Sequence, residues 1–291
     1  IVARGLKAAR SNTLGLLVPD VTNPYFPDLV RGAEDVAFEA GYTLLLHNVI
    51  EDREREAAAL AMFEERRVDG VIVCSPRLPE ERLHTLLQRH VAAVVVNRWA
   101  PAEIAGSVRV DHEVGTRIAI RHLLDGGYQS FGVLTGPPDS AAGRERQRGI
   151  LNELARDGIT LDSDRMVPGP PTLDGGAEAS RILLERHPDV DAILCFNDLV
   201  AAGTLQTARA LNRNVPNHLG IVGYDDIAFA RMFSPSLTTL HVPTYDLGAH
   251  AMRMLLQRMH GRQRSVGIVV QPRLVVREST RAPATPPKEN A

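Results

Sequence analysis

Short apolar runs alternate with amphipathic stretches along almost the whole chain. The runs Leu14–Val18, Thr43–His47, Gly70–Val73, Ala93–Val96, Ser107–Val110, Ser130–Leu134, Met166–Val167, Ala192–Cys195, Gly220–Tyr224 and Leu274–Val276 predict strands. Continuous apolar character, rather than alternation, predicts strands buried on both faces, hence parallel sheets covered by helices. Between the first two runs, Phe26, Leu29, Val30, Ala33, Val36, Ala37 and Ala40 recur at helical spacing. Asn23-Pro24 opens this helix, with Asn as cap and Pro in the first position, and Gly41 stops it. Further helices are predicted over Asp52–Arg66, Pro79–Arg89, Glu113–Asp125, Gly143–Ala155, Leu173–Arg186, Leu199–Leu211 and Thr244–His260. The regular alternation of strand and helix predicts a doubly wound α/β architecture.

About ten strands are too many for one six-stranded unit, so two Rossmann-like lobes are expected. One break falls at Val110-Asp111, where a strand ends and a new series begins. Near Leu237–Val242 the chain changes direction again, punctuated by Pro235 and Pro243. The expected division is 14–110 with 242–268 as the N-terminal lobe and 111–241 with 269–280 as the C-terminal lobe. Residues 1–13 read as a basic helical scrap and linker, and the Pro-rich, polar 281–291 as a disordered tail.

Composition narrows the function. A chain of 291 residues suffices for two compact domains. Its net charge of −2 excludes a surface that grips nucleic acid as a whole. Any DNA affinity must be local, and Arg4, Lys7 and Arg10 form the one basic cluster at the N-terminus; on charge alone that cluster reads as a solvated tail. No apolar run approaches the ~20 residues of a membrane span. Cys74 and Cys195 stand far apart, each at or near a strand end, which predicts two buried free thiols and a reducing, cytoplasmic setting. Neither has the neighbouring His or Cys ligands of a structural zinc site.

In open parallel sheets, ligands bind beyond the carboxyl ends of the strands. Those ends carry Asp20 to Phe26, Cys74-Ser75-Pro76-Arg77, Asn97-Arg98-Trp99, Asp111-His112, Gly136 to Ser140 leading to Arg144-Glu145-Arg146, Phe196-Asn197-Asp198 and Asp225-Asp226. Amides, carboxylates, guanidiniums and aromatic faces at one edge suit a small polyhydroxylated ligand. Singly, each residue has a plainer reading. Asn23, Asp111 and Asp198 serve equally as helix caps, Tyr25 and Phe26 as core or dimer contacts, Trp99 as a lone surface aromatic. His112-Glu113 and His122 lack metal-ligand spacing and read as helix-surface or cap residues. Asp225-Asp226 are adjacent and make a poor acid–base pair. The chain lacks a phosphate loop, a dinucleotide turn, a nucleophile elbow and a zinc helix. No enzymatic activity, cofactor or metal is expected.

The ordered set of strand-end blocks resembles the core of LacI/GalR-family transcription regulators. The blocks are Val18-Pro19-Asp20 with Asn23 to Phe26, Asp69 to Ile72, Val96-Asn97-Arg98, Val110-Asp111, Gly143–Gly149, Phe196-Asn197-Asp198, Val222 to Asp226, Leu237-Thr238-Thr239 and Val275 to Ser279. The resemblance runs from Ala3 to about Thr280. It implies a periplasmic-binding-protein-like type I fold with a ligand cleft between two lobes. It places effector contacts at Asn23, Tyr25, Phe26, Ser75, Asn97, Arg146, Phe196, Asn197 and Asp225, with Arg98 and Trp99 on the cleft wall. Asn97 stands where many members carry Asp, which bears on hydroxyl preference. Arg144 and Arg148 do not fit the family spacing and are expected at the surface. Ala3 to Lys7 resembles the family's hinge helix, with Leu6 as the minor-groove wedge and Arg4 and Lys7 on the phosphates and groove. The expected partners are a small effector, a sugar or sugar derivative above all, operator DNA through this hinge and a head not present in the sequence, and a second copy in a homodimer. The alternatives are a sugar-binding protein of a transport system, which shares the fold, and a doubly wound hydrolase, which the missing motifs oppose.

Overall fold

The computed structural model describes residues 11–261 and 267–282. The hinge candidates Arg4, Leu6 and Lys7 lie outside the described residues, as does most of the Pro-rich tail. In the first half, strands β1 (Thr13–Val18), β2 (Thr43–Asn48), β3 (Gly70–Cys74), β4 (Ala93–Val96) and β5 (Gly106–Val110) alternate with helices α1 (Tyr25–Glu39), α2 (Arg53–Glu65) and α3 (Glu80–Leu87). Next come α4 (His112–Asp125), β6 (Phe131–Gly136), α5 (Ala141–Arg156), β7 (Met166–Pro168), α6 (Leu173–Arg186), β8 (Ala192–Cys195), α7 (Asp198–Ala210) and β9 (Gly220–Asp225). The chain closes with β10 (Thr238–His241), α8 (Thr244–Met259), β11 (Ile268–Val270) and β12 (Arg273–Val275).

Two compact units result. The first comprises the described residues of 1–22, 26–109 and 244–269, the second those of 23–25, 110–243 and 270–291. The first unit's sheet runs β11-β5-β4-β3-β1-β2, the second's β12-β10-β9-β8-β6-β7. The internal pairings are parallel, with Leu14 opposite both Leu44 and Gly70 in the first sheet and Leu194 opposite Val222 in the second. Strand β12 pairs antiparallel with β10 and forms an edge.

The apolar runs are buried as their pattern requires. Leu14, Leu16, Leu17 and Val18 of β1 are fully buried, each such side chain contributing about 1.5–3 kcal/mol. Phe63 of α2 fills the core against Val71, Val73 and Leu83. Gly15 makes room for it, because a Cβ there would stand 2.7 Å from the Phe63 ring. In the second unit α6 and α7 approach so closely that a Cβ on Gly203 would lie 2.0 Å from the Leu173 carbonyl oxygen.

Four differences from the sequence reading stand out. Thr238–His241 and Ile268–Val270 are strands, where the sequence suggested a change of direction and no element. The linker segment is anchored at its end: the backbone N–H groups of Ser11 and Asn12 donate to the Asp69 carboxylate at 3.1 and 2.9 Å. Arg281, expected at the start of the tail, is held in place: its backbone N–H donates to the Tyr128 hydroxyl at 3.0 Å and its guanidinium lies 4.4 Å from the centre of that ring. Asp198 does not cap α7. Asn197 does, its carboxamide oxygen accepting the Val200 N–H at 2.8 Å, while Asp198, one residue on, turns into the core.

Candidate functional site

Polar side chains fix the turns from strand to helix and so fix the strand ends. Asp111 accepts the Val114 N–H at the start of α4, and Ser140 accepts the Gly143 N–H at the start of α5. Asn23 accepts the Tyr25 N–H at 3.0 Å at the start of α1. Each such bond meets an N–H that the helix itself leaves unmet, worth about 1 kcal/mol.

In the first unit, Ser75 and Asn97 directly follow β3 and β4, and both have left-handed backbone, with φ of 46° and 60°. The Asn97 carboxamide donates to the Ser75 hydroxyl at 3.1 Å, so the two sequence candidates meet. Behind them lies a charged layer that the sequence reading did not single out. Arg77 is buried, its Nε 2.6 Å from Glu51 and its Nη1 donating to the Ser75 carbonyl at 3.1 Å. Its backbone N–H donates to buried Glu56 at 2.8 Å. Burial pushes the Glu56 carboxyl above its ordinary range, and the Arg77 and Leu78 backbone N–H groups pull it back in part. Arg98 donates to the Leu78 carbonyl at 2.7 Å, and Trp99 is 55% exposed. Tyr25 and Phe26, at the start of α1, are buried.

In the second unit the candidates converge on Arg146 of α5. Its guanidinium carbon lies 3.5 Å from the centre of the Tyr224 ring and 5.1 Å from that of Phe196, a placement in which aromatic faces attract the cation. Nη1 donates to the Phe196 carbonyl, and Nη2 lies 4.0 Å from Asp225 Oδ1. Asn197 belongs to the same turn but spends its side chain on the cap of α7 and on the Pro171 carbonyl. A recess of about 380 Å³, counting its open mouth, adjoins Arg146, Phe196 and Tyr224 and runs along apolar Val133, Leu194 and Val222. Arg144 and Arg148 are exposed, the latter paired with Glu113 at 2.5 Å.

The carboxyl groups near Arg146 are buried, and burial shifts their acidity. Burial raises the Asp225 carboxyl to about 7 despite the nearby Arg146 charge. Asp198, buried behind it, is pushed well above the ordinary carboxylate range by burial and by Asp225. It accepts the Ile227 N–H at 2.8 Å and bonds the Thr239 hydroxyl at 2.5 Å, so it braces the turn that carries Asp225 and Asp226. Both residues of that turn have positive φ, 113° and 59°, a conformation that costs free energy outside glycine. Asp226 is held by Arg277 at 2.6 Å and His241 at 3.0 Å. A guanidinium and a carboxyl group side by side can serve one hydroxyl together, the guanidinium donating to its oxygen and the carboxyl oxygen accepting its proton.

Two participants escaped the sequence reading. His112 was expected on a helix surface or as a cap; it is 2% exposed, with Nδ1 2.8 Å from the Tyr224 hydroxyl and 3.3 Å from Arg146 Nε. Tyr224 lies within a strand rather than beyond its end. The signal available was its parity: it falls two residues after Val222, on the face that also lines the recess. Among the described residues, no group of three or more His, Cys, Asp or Glu is placed to hold a metal ion.

Two six-stranded α/β lobes with polar groups at the strand ends define a periplasmic-binding-protein-like molecule, and residues 120–280 match the periplasmic binding protein-like domain. The ribose operon repressor of Halalkalibacterium halodurans is 34% identical over 284 residues, which cover 96% of this chain and 83% of the repressor. The PurR repressor of Photobacterium profundum is 31% identical over 282 residues, 96% of this chain and 84% of its own. Among solved structures, the transcriptional regulator CelR in complex with cellobiose aligns with a TM-score of 0.86 at 30% identity, covering 93% of this chain and 85% of its own. The chain belongs to the LacI family of transcription regulators, of which it forms the ligand-sensing core. The transport-protein alternative is not favoured by relatives of this kind.

Proposed function

We propose that this core senses a small, uncharged polyhydroxylated effector, a sugar or sugar derivative, and passes its presence to operator DNA as a cytoplasmic homodimeric repressor. The observation that carries the reading is the Arg146 guanidinium held on aromatic rings with Nη2 4.0 Å from Asp225. That pairing suits a hydroxyl-bearing ligand, to which the guanidinium donates while the neighbouring carboxyl oxygen accepts. Phe196 supplies an apolar face beside it. Ser75, Asn97, Phe26, Arg98 and Trp99 of the first unit and Asn23 and Tyr25 of the second are further proposed effector residues, and Asn197 acts by holding the turn after β8. The hinge residues Arg4, Leu6 and Lys7 are proposed to meet the DNA, Leu6 as a wedge between base steps. Effector binding shifts operator affinity only by its differential affinity for two conformations of the dimer.

The test is a thermal-shift and Trp99 fluorescence panel of monosaccharides, disaccharides, sugar phosphates and nucleobases, on the wild type and on Arg146→Ala. A saturable response to one neutral sugar class, weakened at least about tenfold by Arg146→Ala for the loss of a charged hydrogen bond, is the expected result. A response confined to nucleobases or to phosphorylated compounds would overturn the sugar assignment.

A further inference from the structure

We propose that His112 is the positioning residue of the Arg146 guanidinium, acting as a neutral imidazole that carries its proton on Nε2. The geometry forces the tautomer. Arg146 Nε–H can only donate, and it points at His112 Nδ1 from 3.3 Å. The nitrogen it meets must therefore be bare. The Tyr224 hydroxyl, 2.8 Å from the same nitrogen, then donates as well, and burial keeps that phenol protonated by pushing its pKa up. Two donors converge on one lone pair, and the shorter Tyr224 contact takes the larger part of it. A proton on Nδ1 could be accepted by the Tyr224 hydroxyl but would oppose the Arg146 Nε–H and push the guanidinium off the Tyr224 ring.

The consequence is a guanidinium fixed at three points. Nε is held by His112, Nη1 by the Phe196 carbonyl, and the plane by the Tyr224 ring, 3.5 Å from its centre. Only with those points occupied is the Nη2 end presented beside Asp225. A long Arg side chain loses rotamer freedom when it binds. Fixing it beforehand raises affinity by lowering that cost. His112 enters from the first turn of α4, Arg146 from α5 and Tyr224 from β9, so three separate elements must be in place for the fork to form.

The functional weight of this inference rests on reading Arg146 as an effector contact, but the positioning itself is tested without any effector. The full chain is labelled with ¹⁵N, and the imidazole nitrogens of His112 are assigned by the signals lost in His112→Asn. Wild type is expected to show a bare Nδ1 and a slowly exchanging Arg146 Nε–H. His112→Leu removes the acceptor and should speed exchange of that N–H about tenfold, as expected for one lost hydrogen bond to a charged group. His112→Asn offers a carboxamide oxygen near the place of Nδ1 and should restore slow exchange. A protonated Nδ1, or equal Arg146 exchange in wild type and folded His112→Leu, would sink the proposal. Should His112→Leu fail to fold, the wild-type nitrogen spectrum decides alone. An unchanged effector response in Arg146→Ala would refute the effector reading and leave the positioning intact.

Discussion

Replacing Asp225 by Asn should change how stability depends on pH. The side chain is 7% exposed, and its carboxyl is raised from 3.8 to about 7, chiefly by burial and against the pull of Arg146. Between these two values the folded chain keeps a proton that the unfolded chain has released. Stability contributed by the neutral carboxyl is therefore fully present below the unfolded value and is lost as pH rises through the folded one. At about 1.4 kcal/mol per pH unit, the whole interval corresponds to about 4 kcal/mol, and the part between pH 5 and 7, where the folded carboxyl begins to ionise, to about 2 kcal/mol. Asn carries no such proton, keeps the size of Asp and tolerates positive φ. Buried Asp198 titrates in the same sense, so the wild-type slope alone does not isolate Asp225; the difference between wild type and variant does. Urea unfolding at pH 5, 6, 7 and 8, with equal m-values, measures that difference. Wild type should lose about 2 kcal/mol relative to Asp225→Asn from pH 5 to 7, and only a few tenths of a kcal/mol more by pH 8. Parallel curves across the whole range would refute the assignment of a buried, proton-holding Asp225.

Three further outcomes follow from packing. Gly203→Ala should destabilise by about 1–3 kcal/mol or more, because its new Cβ meets backbone atoms of α6 at 2.0 and 2.5 Å that cannot swing aside; chemical denaturation measures it. Phe63→Ala should cost about 3–5 kcal/mol, and Gly15→Ala, harmful alone, should be tolerated in that background, a coupling that a double-mutant cycle detects. Cys74 and Cys195 are buried, and burial raises both thiols, Cys195 to about 12; a thiol reagent at pH 8 should therefore react with neither until the chain unfolds.

The strands most legible in the sequence are those whose residues are apolar at every position. Ala93–Val96 and Ala192–Cys195 appear in the structure with the boundaries that their composition predicts. Thr238–His241 was hidden because two of its three buried positions are threonines. Thr238 is fully buried only because its hydroxyl bonds the Thr280 hydroxyl at 2.8 Å and the Arg277 carbonyl at 3.1 Å, and those partners lie about forty positions later. Strand-end position brought Phe196 and Asp225 forward as candidates, and the family resemblance singled out Arg146. His112 also stood at a strand end but read as a helix-surface or cap residue, and Tyr224 was not a candidate; the two matter through each other. Their bond spans 112 positions and the bond from His112 to Arg146 spans 34, so neither is visible in local spacing. The exchange of roles between Asn197 and Asp198 has the same character. Either can cap a helix, and the choice was made by distant Ile227 and Thr239, which receive Asp198 in the core.

The discontinuous make-up of both units constrains how the chain can be synthesised and cut. Most of the first unit's sheet and core comes from residues within 11–109, yet α8, which brings Leu247, Met252 and Leu255 into that unit, and the edge strand β11 are translated only after the whole of α4 to β10. The second unit likewise waits for β12 and for Ser279, whose hydroxyl and N–H secure Ile221 and Ser236. A ribosome therefore releases nearly the entire chain before either unit can close, and the early strands spend that time with apolar surface exposed. Domains normally fold as they emerge, amino-terminal first. This chain is denied that order, so its vulnerable period is the length of its own translation, and a truncation at residue 243 would leave two incomplete units rather than one sound one.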